Sequence, residues 1–383
     1  MLRAGMALLL AIGWVPARGD PPEIHIVVLK GAHQTSAVAD RHDLAVRRVF
    51  GSAVRGFSAA MTAARAAAVG HDPQVAYVQA NVVHRAVDTQ PAPPSWGLDR
   101  IDQRAQPLDA TYTYPNAGAA AHAYVIDTGV RTTHADFGGR AASGFDAIDG
   151  GDAADCHGHG THVAGTIAGT AHGVAKQARV IAVRVLDCDG SGTTETVLAG
   201  VDWVTAHATR PAVANMSLGG GPDRALDDGV RRSIASGIVY TLSAGNGWAG
   251  QPRPACDQSP ARVTEALTVS ATDRQDNRAP WANYGTCVDL FAPGVGITSA
   301  WATADDATLS LSGTSMSAPH VAGAAALQFT ANPQATVEQV MTAVRELATV
   351  DVVLNPLPDT PNRLLFIDPR SHDQGVPRVV LTT

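Results

Sequence analysis

The sequence predicts an α/β protein built on a doubly wound, mostly parallel sheet and preceded by a small α+β domain. Three observations lead there. Downstream of Ala121, short apolar runs alternate with helix-period segments, the pattern of a parallel sheet with helices on both faces. Upstream, residues 20–87 fit three strand-like runs around a short alanine-rich helix, enough for a small α+β unit. Between the two, DTQPAPPSWG (88–97) is rich in proline and reads as a linker and a boundary.

The 383 residues are 45% hydrophobic and 16% charged, sufficient apolar material for a sizeable core. A formal net charge of −7 argues against a nucleic-acid partner. Residues 1–19 read as a secretory signal peptide. Arg3 is basic, the run from Ala4 to Val15 is apolar, and Ala17 and Gly19 place small residues at the −3 and −1 positions of a cleavage site. That run is too short for a comfortable membrane span, and no other stretch is long enough. The expectation is a secreted, soluble, monomeric protein with no membrane partner. Export makes disulfides permissible for Cys156, Cys188, Cys256 and Cys287. Their spacing suits sequential pairing, but it leaves all three connectivities open.

In the small domain, EIHIVVLK (23–30) alternates as a strand does, and VRGFSAAM (54–61) is a second candidate. Thr62 opens the helix TAARAAAVG, which Gly70 closes, and VAYVQANVVHRAV (75–87) is a third extended run. In the large domain, AHAYVID (121–127) and ARVIAVRVLD (178–187) read as buried strands. TTETVLAGVDWVTAHA (193–208) carries Val197, Leu198, Val201 and Val204 at helical spacing. PAVANMSLGG (211–220) is a strand ending in glycines, a helix runs from Pro222 to Gly237, and IVYTLSAG (238–245) is the next strand. In such a sheet, function collects just beyond the carboxyl ends of the strands.

Three of those ends carry suggestive residues. The first strand runs into Asp127, the strand at 238–245 runs into Asn246, and Ser315 stands just before an apolar helix. Singly, each has a plainer role as turn former or helix cap. Together with His159 they are the four groups that acyl transfer through a serine requires. A serine hydroxyl needs a neighbouring base, an imidazole suits that role near neutral pH, a carboxylate orients the imidazole, and an amide donor stabilises the oxyanion. Gly313 and Thr314 lead tightly into Ser315, so its N–H lies at a helix N-terminus. Pro319 lacks the N–H that would bond the Ser315 carbonyl, so an irregular first turn is expected.

The segments VIDTGV, HGHGTHVAGT, SAGN and SGTSMSAPHVAG resemble those of subtilisin-like serine proteases, in the order Asp, His, Ser. WGLDRID (96–102), RPAVANMSLGGG (210–221), SPARVTEALTVSATD (259–273) and NYGTCVDLFAPG (283–294) are similar to the proteinase K branch and its aqualysin-like members. The resemblance covers nearly all of residues 90–368 and implies a subtilisin-like fold. It implies that Asp127 orients His159, that His159 serves as base and acid, that Ser315 attacks, and that Asn246 with the Ser315 N–H forms the oxyanion hole. It makes Gly190, Ser191 and Gly192 one edge of the substrate channel, Ser217, Leu218 and Gly219 the other, and Ser243, Ala244 and Gly245 a wall of the P1 pocket. With no charge in those walls, apolar or aromatic P1 residues are expected. The resemblance pairs Cys156 with Cys188 and Cys256 with Cys287. It also implies structural calcium, held by the Asp289 carboxylate and the carbonyls of Thr264 and Ala266, and no catalytic metal. Residues 20–87 resemble an inhibitor-type propeptide of ferredoxin-like fold, which assists folding, blocks the site and is cut between His84 and Thr89. Residues 88–370 are then the peptidase domain, acting on protein or peptide substrates, and 371–383 a short tail.

Three other readings fit less well. His157, His159 and His162 crowd together with Cys156, but a metal-dependent hydrolase would show HExxH or supporting carboxylates, and no Glu is present in the cluster. An α/β-hydrolase esterase would need G-x-S-x-G, and Ser317 stands where its second glycine belongs. A non-catalytic binding protein has no need of all four catalytic groups. Within the cluster, His162 reads as a packed helix residue. His157 is expected to add positive charge that lowers the pKa of His159.

Overall fold

The computed structural model describes residues 22–31, 35–81 and 88–370. The predicted signal peptide, most of the predicted cleavage region between His84 and Thr89, and the tail at 371–383 lie outside these residues. The chain divides into two compact units, with the division at His84/Arg85.

The first unit runs β1 (Glu23–Leu29), α1 (Thr35–Arg41), β2 (Val46–Phe50), β3 (Gly56–Met61), α2 (Ala63–Gly70) and β4 (Val75–Ala80). Its four strands form an antiparallel sheet in the order β2-β3-β1-β4. This βαββαβ succession is ferredoxin-like. Val27 and Leu29 of β1, Phe57 and Ala59 of β3, and Val38, Ala66 and Val69 of the helices share one core. Thr62 caps α2 by accepting the Arg65 N–H, as its position before the alanine run predicts. The sequence pattern does not announce α1 or β2. Four of the five β2 residues are exposed, so no apolar alternation marks it, and α1 buries only Val38 and Ala39.

The second unit begins with β5 (Asp88–Pro91), α3 (Trp96–Ile101) and β6 (Thr111–Tyr114). The proline-rich stretch is therefore not a linker. β5 pairs antiparallel with β6 in a two-stranded ribbon, where proline is tolerated because one strand edge needs no ladder partner. Then follow β7 (His122–Asp127), β8 (Ala141–Asp146), α4 (His159–Ala168), β9 (Arg179–Arg184), α5 (Thr194–His207), β10 (Ala212–Met216), α6 (Arg224–Ala235), β11 (Val239–Ser243), β12 (Leu267–Thr272), β13 (Leu290–Pro293), β14 (Ile297–Ala300), β15 (Thr308–Leu311), α7 (Thr314–Ala331), α8 (Val337–Leu347), β16 (Thr349–Val350) and β17 (Arg363–Leu364).

Nine of these strands form one sheet in the order β16-β17-β13-β12-β11-β10-β7-β9-β8, parallel except for β16. Alternate side chains of β7 face opposite ways. Ala123 and Val125 join the core with Val163, Ile167, Val321 and Phe329 of α4 and α7. Tyr124 and Ile126 join the core with Val197, Val201, Val230 and Ile234 of α5 and α6. The sheet is thus covered on both faces, and its strands read as continuous apolar runs for that reason. The chain turns from β7 toward β9 on one side and returns to β10 on the other. That reversal between β7 and β10 is the switch point at which open α/β sheets place their sites.

Candidate active site

Asp127 ends β7 at the switch point and is fully buried. Its Oδ1 accepts the Thr128 N–H at 2.8 Å and faces His159 Nδ1 at 2.7 Å. His159 is the first residue of α4, after Gly158 at the cap. Gly160 lets that helix start so close to β7: a Cβ there would lie 2.1 Å from the Gly129 carbonyl oxygen. Burial works against a charge on the His159 ring, but the charge and hydrogen bond of Asp127, helped by Asp155, raise its pKa above the ordinary histidine value. His157 is not among the groups that shift it, contrary to expectation. The His157 Nδ1 instead accepts the His159 backbone N–H at 3.3 Å.

The sequence reading missed the organiser of this turn. Asp155 accepts from Thr128 Oγ1 (2.9 Å), the N–H groups of His157 (3.0 Å), Gly158 (2.7 Å) and Thr161 (2.9 Å), and Thr161 Oγ1 (2.6 Å). An Asp two to six residues before His157, Gly158 and Thr161 is the only sequence signal, and it reads as an ordinary turn former; Thr128 lies 27 positions upstream.

Ser315 is the second residue of α7, behind Gly313 at the cap. The helix holds its α-form from Thr314 through Pro319, so the expected irregular turn is absent. The carbonyl that Pro319 deprives of a donor is satisfied from elsewhere: Ser217 Oγ donates to Ser315 O at 2.8 Å. In return, Ser315 Oγ donates to Ser217 O at 3.1 Å. Beyond the neighbouring strand β11, Asn246 Oδ1 accepts both the N–H and the hydroxyl of Thr314, each at 2.9 Å. With its oxygen so engaged, the amide has only Nδ2 free to donate.

Gly190, Ser191, Gly192, Ser217, Leu218 and Gly219 line one cleft of about 580 Å³, together with His157 and His159. Ser243, Ala244 and Gly245 stand at the end of β11, with Ser243 Oγ 3.5 Å from the Leu218 carbonyl. Ala244 packs in a buried apolar cluster with Ala255, Ala261 and Val288.

Of the three clustered histidines, His157 and His159 stay neighbours, with ring centroids 6.3 Å apart, and His162 turns into the core. His162 is fully buried, its Nε2 within 3.0 Å of Ile297 O and 3.1 Å of Leu309 O, while Nδ1 has no partner. Burial pushes its pKa down to about 4. His320 of α7 is alike: Nδ1 faces Met316 O at 2.8 Å, Nε2 is orphaned, and burial pushes its pKa down to about 4. A second proton on either ring would have no acceptor. Between about pH 6.5 and about pH 4 the unfolded chain therefore binds more protons than the folded one, so stability rises with pH across that window and is complete above it. Each ring is expected to withdraw up to about 3 kcal/mol of stability on full acidification. Urea unfolding from neutral to mildly acidic pH measures this, and His320→Gln is expected to flatten the slope. Cys156 is bonded to Cys188, and Cys256 to Cys287.

The expected calcium ligands do not fit a divalent cation. Arg345 of α8 places Nε 2.9 Å from Asp289 Oδ1 and Nη2 3.3 Å from Ala266 O, while Asp289 Oδ2 accepts the Thr268 N–H at 2.8 Å. A guanidinium thus satisfies the carboxylate and one of the two carbonyls assigned to the metal, and adding a dication would bring like charges together. Burial pushes the Asp289 carboxyl above its usual range, against the pull of Arg345 and the Thr268 N–H. Arg345→Gln is expected to lower the unfolding free energy by about 1–3 kcal/mol at neutral pH, read from denaturant midpoints, because Asp289 loses its charge partner. Arg345 and Thr264 also edge an open depression of about 1150 Å³ near α6 and α8, which is lined by none of Asp127, His159, Asn246 and Ser315.

The Subtilase family profile matches residues 124–369, from within β7 to beyond the last strand of the sheet. An extracellular serine proteinase of Thermus sp. (strain Rt41A) is 52% identical over 322 residues, 84% of this chain and 77% of its own length. Alkaline serine exoprotease A of Vibrio alginolyticus is 44% identical over 331 residues, 85% of this chain and 61% of its own. The crystal structure of a cold adapted subtilisin-like serine proteinase matches with a TM-score of 0.69 at 50% identity, over 71% of this chain and 97% of that one. With its parallel sheet and the Asp127–His159 pair at the switch point, the chain belongs to the Subtilase family.

Proposed function

We propose that this serine endopeptidase is secreted, that it cleaves protein or peptide chains through an acyl-enzyme on Ser315, and that it prefers apolar or aromatic P1 residues. The observation that carries the reading is the 2.7 Å pair of a fully buried Asp127 and His159 at the strand edge that also bears Ser217, Asn246 and the start of the Ser315 helix. Among the described residues, His159 Nε2 has no protein hydrogen bond. The Ser315 hydroxyl turns from Ser217 O to that nitrogen when substrate binds, and the imidazole takes its proton as Oγ attacks the carbonyl. Asp127 holds the ring with its proton on Nδ1 and stabilises the imidazolium. Asn246 Nδ2 and the Ser315 N–H meet the oxyanion. His159 then gives its proton to the departing amine, and water, activated by the same nitrogen, releases the acid. The substrate lies extended between 190–192 and 217–219, adding a strand. The absence of charged side chains from the segments 217–219 and 243–245 supports the P1 preference. No step passes through calcium.

The ferredoxin-like first unit is proposed as a propeptide, residues 20–87, that inhibits the enzyme until it is cut away between His84 and Thr89. Intact mass after fluorophosphonate treatment tests the reaction class. A single adduct on the active form is expected, and an unlabelled, fully folded active form would overturn the reading.

A further inference from the structure

Trp248 is the most exposed large hydrophobic side chain among the described residues, at 71%. It lies two residues beyond Asn246, and its backbone is not loose. Its N–H donates to Gln251 O, and the Gln251 N–H donates to Trp248 O, each at 2.9 Å. Between them Ala249 (φ 50°) and Gly250 (φ 75°) both take left-handed backbone, the two-residue turn that closes a tight hairpin. Ala249 bears the strain of that conformation without being glycine. Gly247 lets the hairpin fold onto itself, since a Cβ there would meet Gln251 O at 2.0 Å. Beyond the hairpin, the Arg253 N–H donates to Asn283 Oδ1 at 2.9 Å, and Asn283 Nδ2 donates back to Ala244 O at 2.8 Å. A fixed loop, tied to the strand that walls the P1 pocket, thus holds an indole in solvent.

We propose that Trp248 is a specificity-determining residue that packs its indole against the P1 side chain of the substrate, favouring aromatic and large apolar residues. The inference rests on the function proposed above. One continuous segment supplies the pocket wall at 243–245, the oxyanion amide at 246 and the indole at 248. The P1 side chain branches from the carbon next to the carbonyl that Asn246 receives, and two extended residues span only about 7 Å, within reach of an indole. A rigid aromatic offers contact area at small entropic cost, and ring-on-ring contact adds to the burial. Substrate contact also removes an apolar surface from water that nothing else in this unit covers.

The test measures kcat/KM for the processed enzyme on matched peptides with Phe, Leu or Ala at P1, alongside Lys and Arg P1 peptides and a pair that differs only at P1′. Trp248→Ala is expected to lose about 3- to 10-fold on the Phe peptide, mainly through KM, and little on the Ala peptide. Trp248→Phe is expected to recover most of the loss, and the fluorophosphonate labelling rate is expected to stay at the parent value in both variants. A Phe/Ala ratio unchanged in Trp248→Ala, an equal loss on all three peptides, or a loss that follows the P1′ residue instead overturns the inference while leaving the P1 class intact. A parent enzyme that ranks Lys or Arg peptides above Phe overturns the P1 class itself and this inference with it.

Discussion

Ser315→Ala is expected to lower kcat by about 10⁶-fold, the loss known from removing the nucleophile of a subtilisin, with about 10³–10⁴ of acceleration over water remaining. The structure explains why the loss belongs to chemistry and not to folding. The Ser315 side chain makes one recorded hydrogen bond, to Ser217 O at 3.1 Å, and is only partly buried. The bond that holds the helix start comes from the other direction, from Ser217 Oγ to Ser315 O, and alanine keeps it. The unfolding midpoint is therefore expected to move little, and circular dichroism of the variant to match the parent. Two further readings follow from the same protein. Fluorophosphonate is expected to add no mass, and the chain to keep residues 20–87 attached, as the proposal that Ser315 itself makes the cut between His84 and Thr89 requires. Residual activity above about one part in a hundred that survives purification would transfer the nucleophile to another group. Cleavage of the N-terminal unit by the alanine variant alone in solution would remove self-processing and leave the peptidase reading standing.

How much of this could be read in the sequence follows from the range of the interactions involved. The proposed catalytic groups stand out in the sequence because each lies within a local signature: a strand end for Asp127, glycines around His159, a tight lead into the helix for Ser315. The doubly wound sheet was legible because its strands are buried on both faces and read as apolar runs between helical periods. The failures share another cause. Pro319 correctly predicts a carbonyl without its helical donor, but not that Ser217, 98 positions upstream of Ser315, supplies one and keeps the turn helical. Asp289 and the carbonyl of Ala266 look like metal ligands until Arg345, 56 positions beyond Asp289, folds over them. The proline-rich stretch reads as a linker because β5 owes its existence to pairing with β6, about twenty residues later, and not to any periodicity of its own. Short elements with no buried face, such as β2, leave no pattern to find. Local chemistry is therefore visible in the sequence, whereas a partner brought from afar to complete or replace it is not.

Asn246→Leu is expected to lower kcat by about 10²–10³-fold with KM nearly unchanged, the magnitude known for loss of the oxyanion amide in a subtilisin. The donor acts on charge that develops only in the transition state, so ground-state binding of the substrate barely senses it. What this structure adds is the means by which the amide is aimed. Asn246 is exposed. Its orientation depends on Thr314, whose N–H and hydroxyl both bind Oδ1 at 2.9 Å and so leave Nδ2 as the group free to meet the proposed oxyanion. An amide turned over would present oxygen to an oxyanion, which is repulsive. Thr314→Val keeps the backbone donor and the side-chain volume but removes the hydroxyl. It also removes the acceptor of the Gly245 N–H, which donates to Thr314 Oγ1 at 3.1 Å. The expected result is an intermediate loss of about tenfold in kcat, again with KM little changed, and a double variant Asn246→Leu with Thr314→Val no slower than Asn246→Leu alone. Additive losses in the double variant would mean that Thr314 acts on the nucleophile or the P1 wall independently of the amide. A parent-like Thr314→Val would mean that the backbone N–H of Thr314 suffices to aim it.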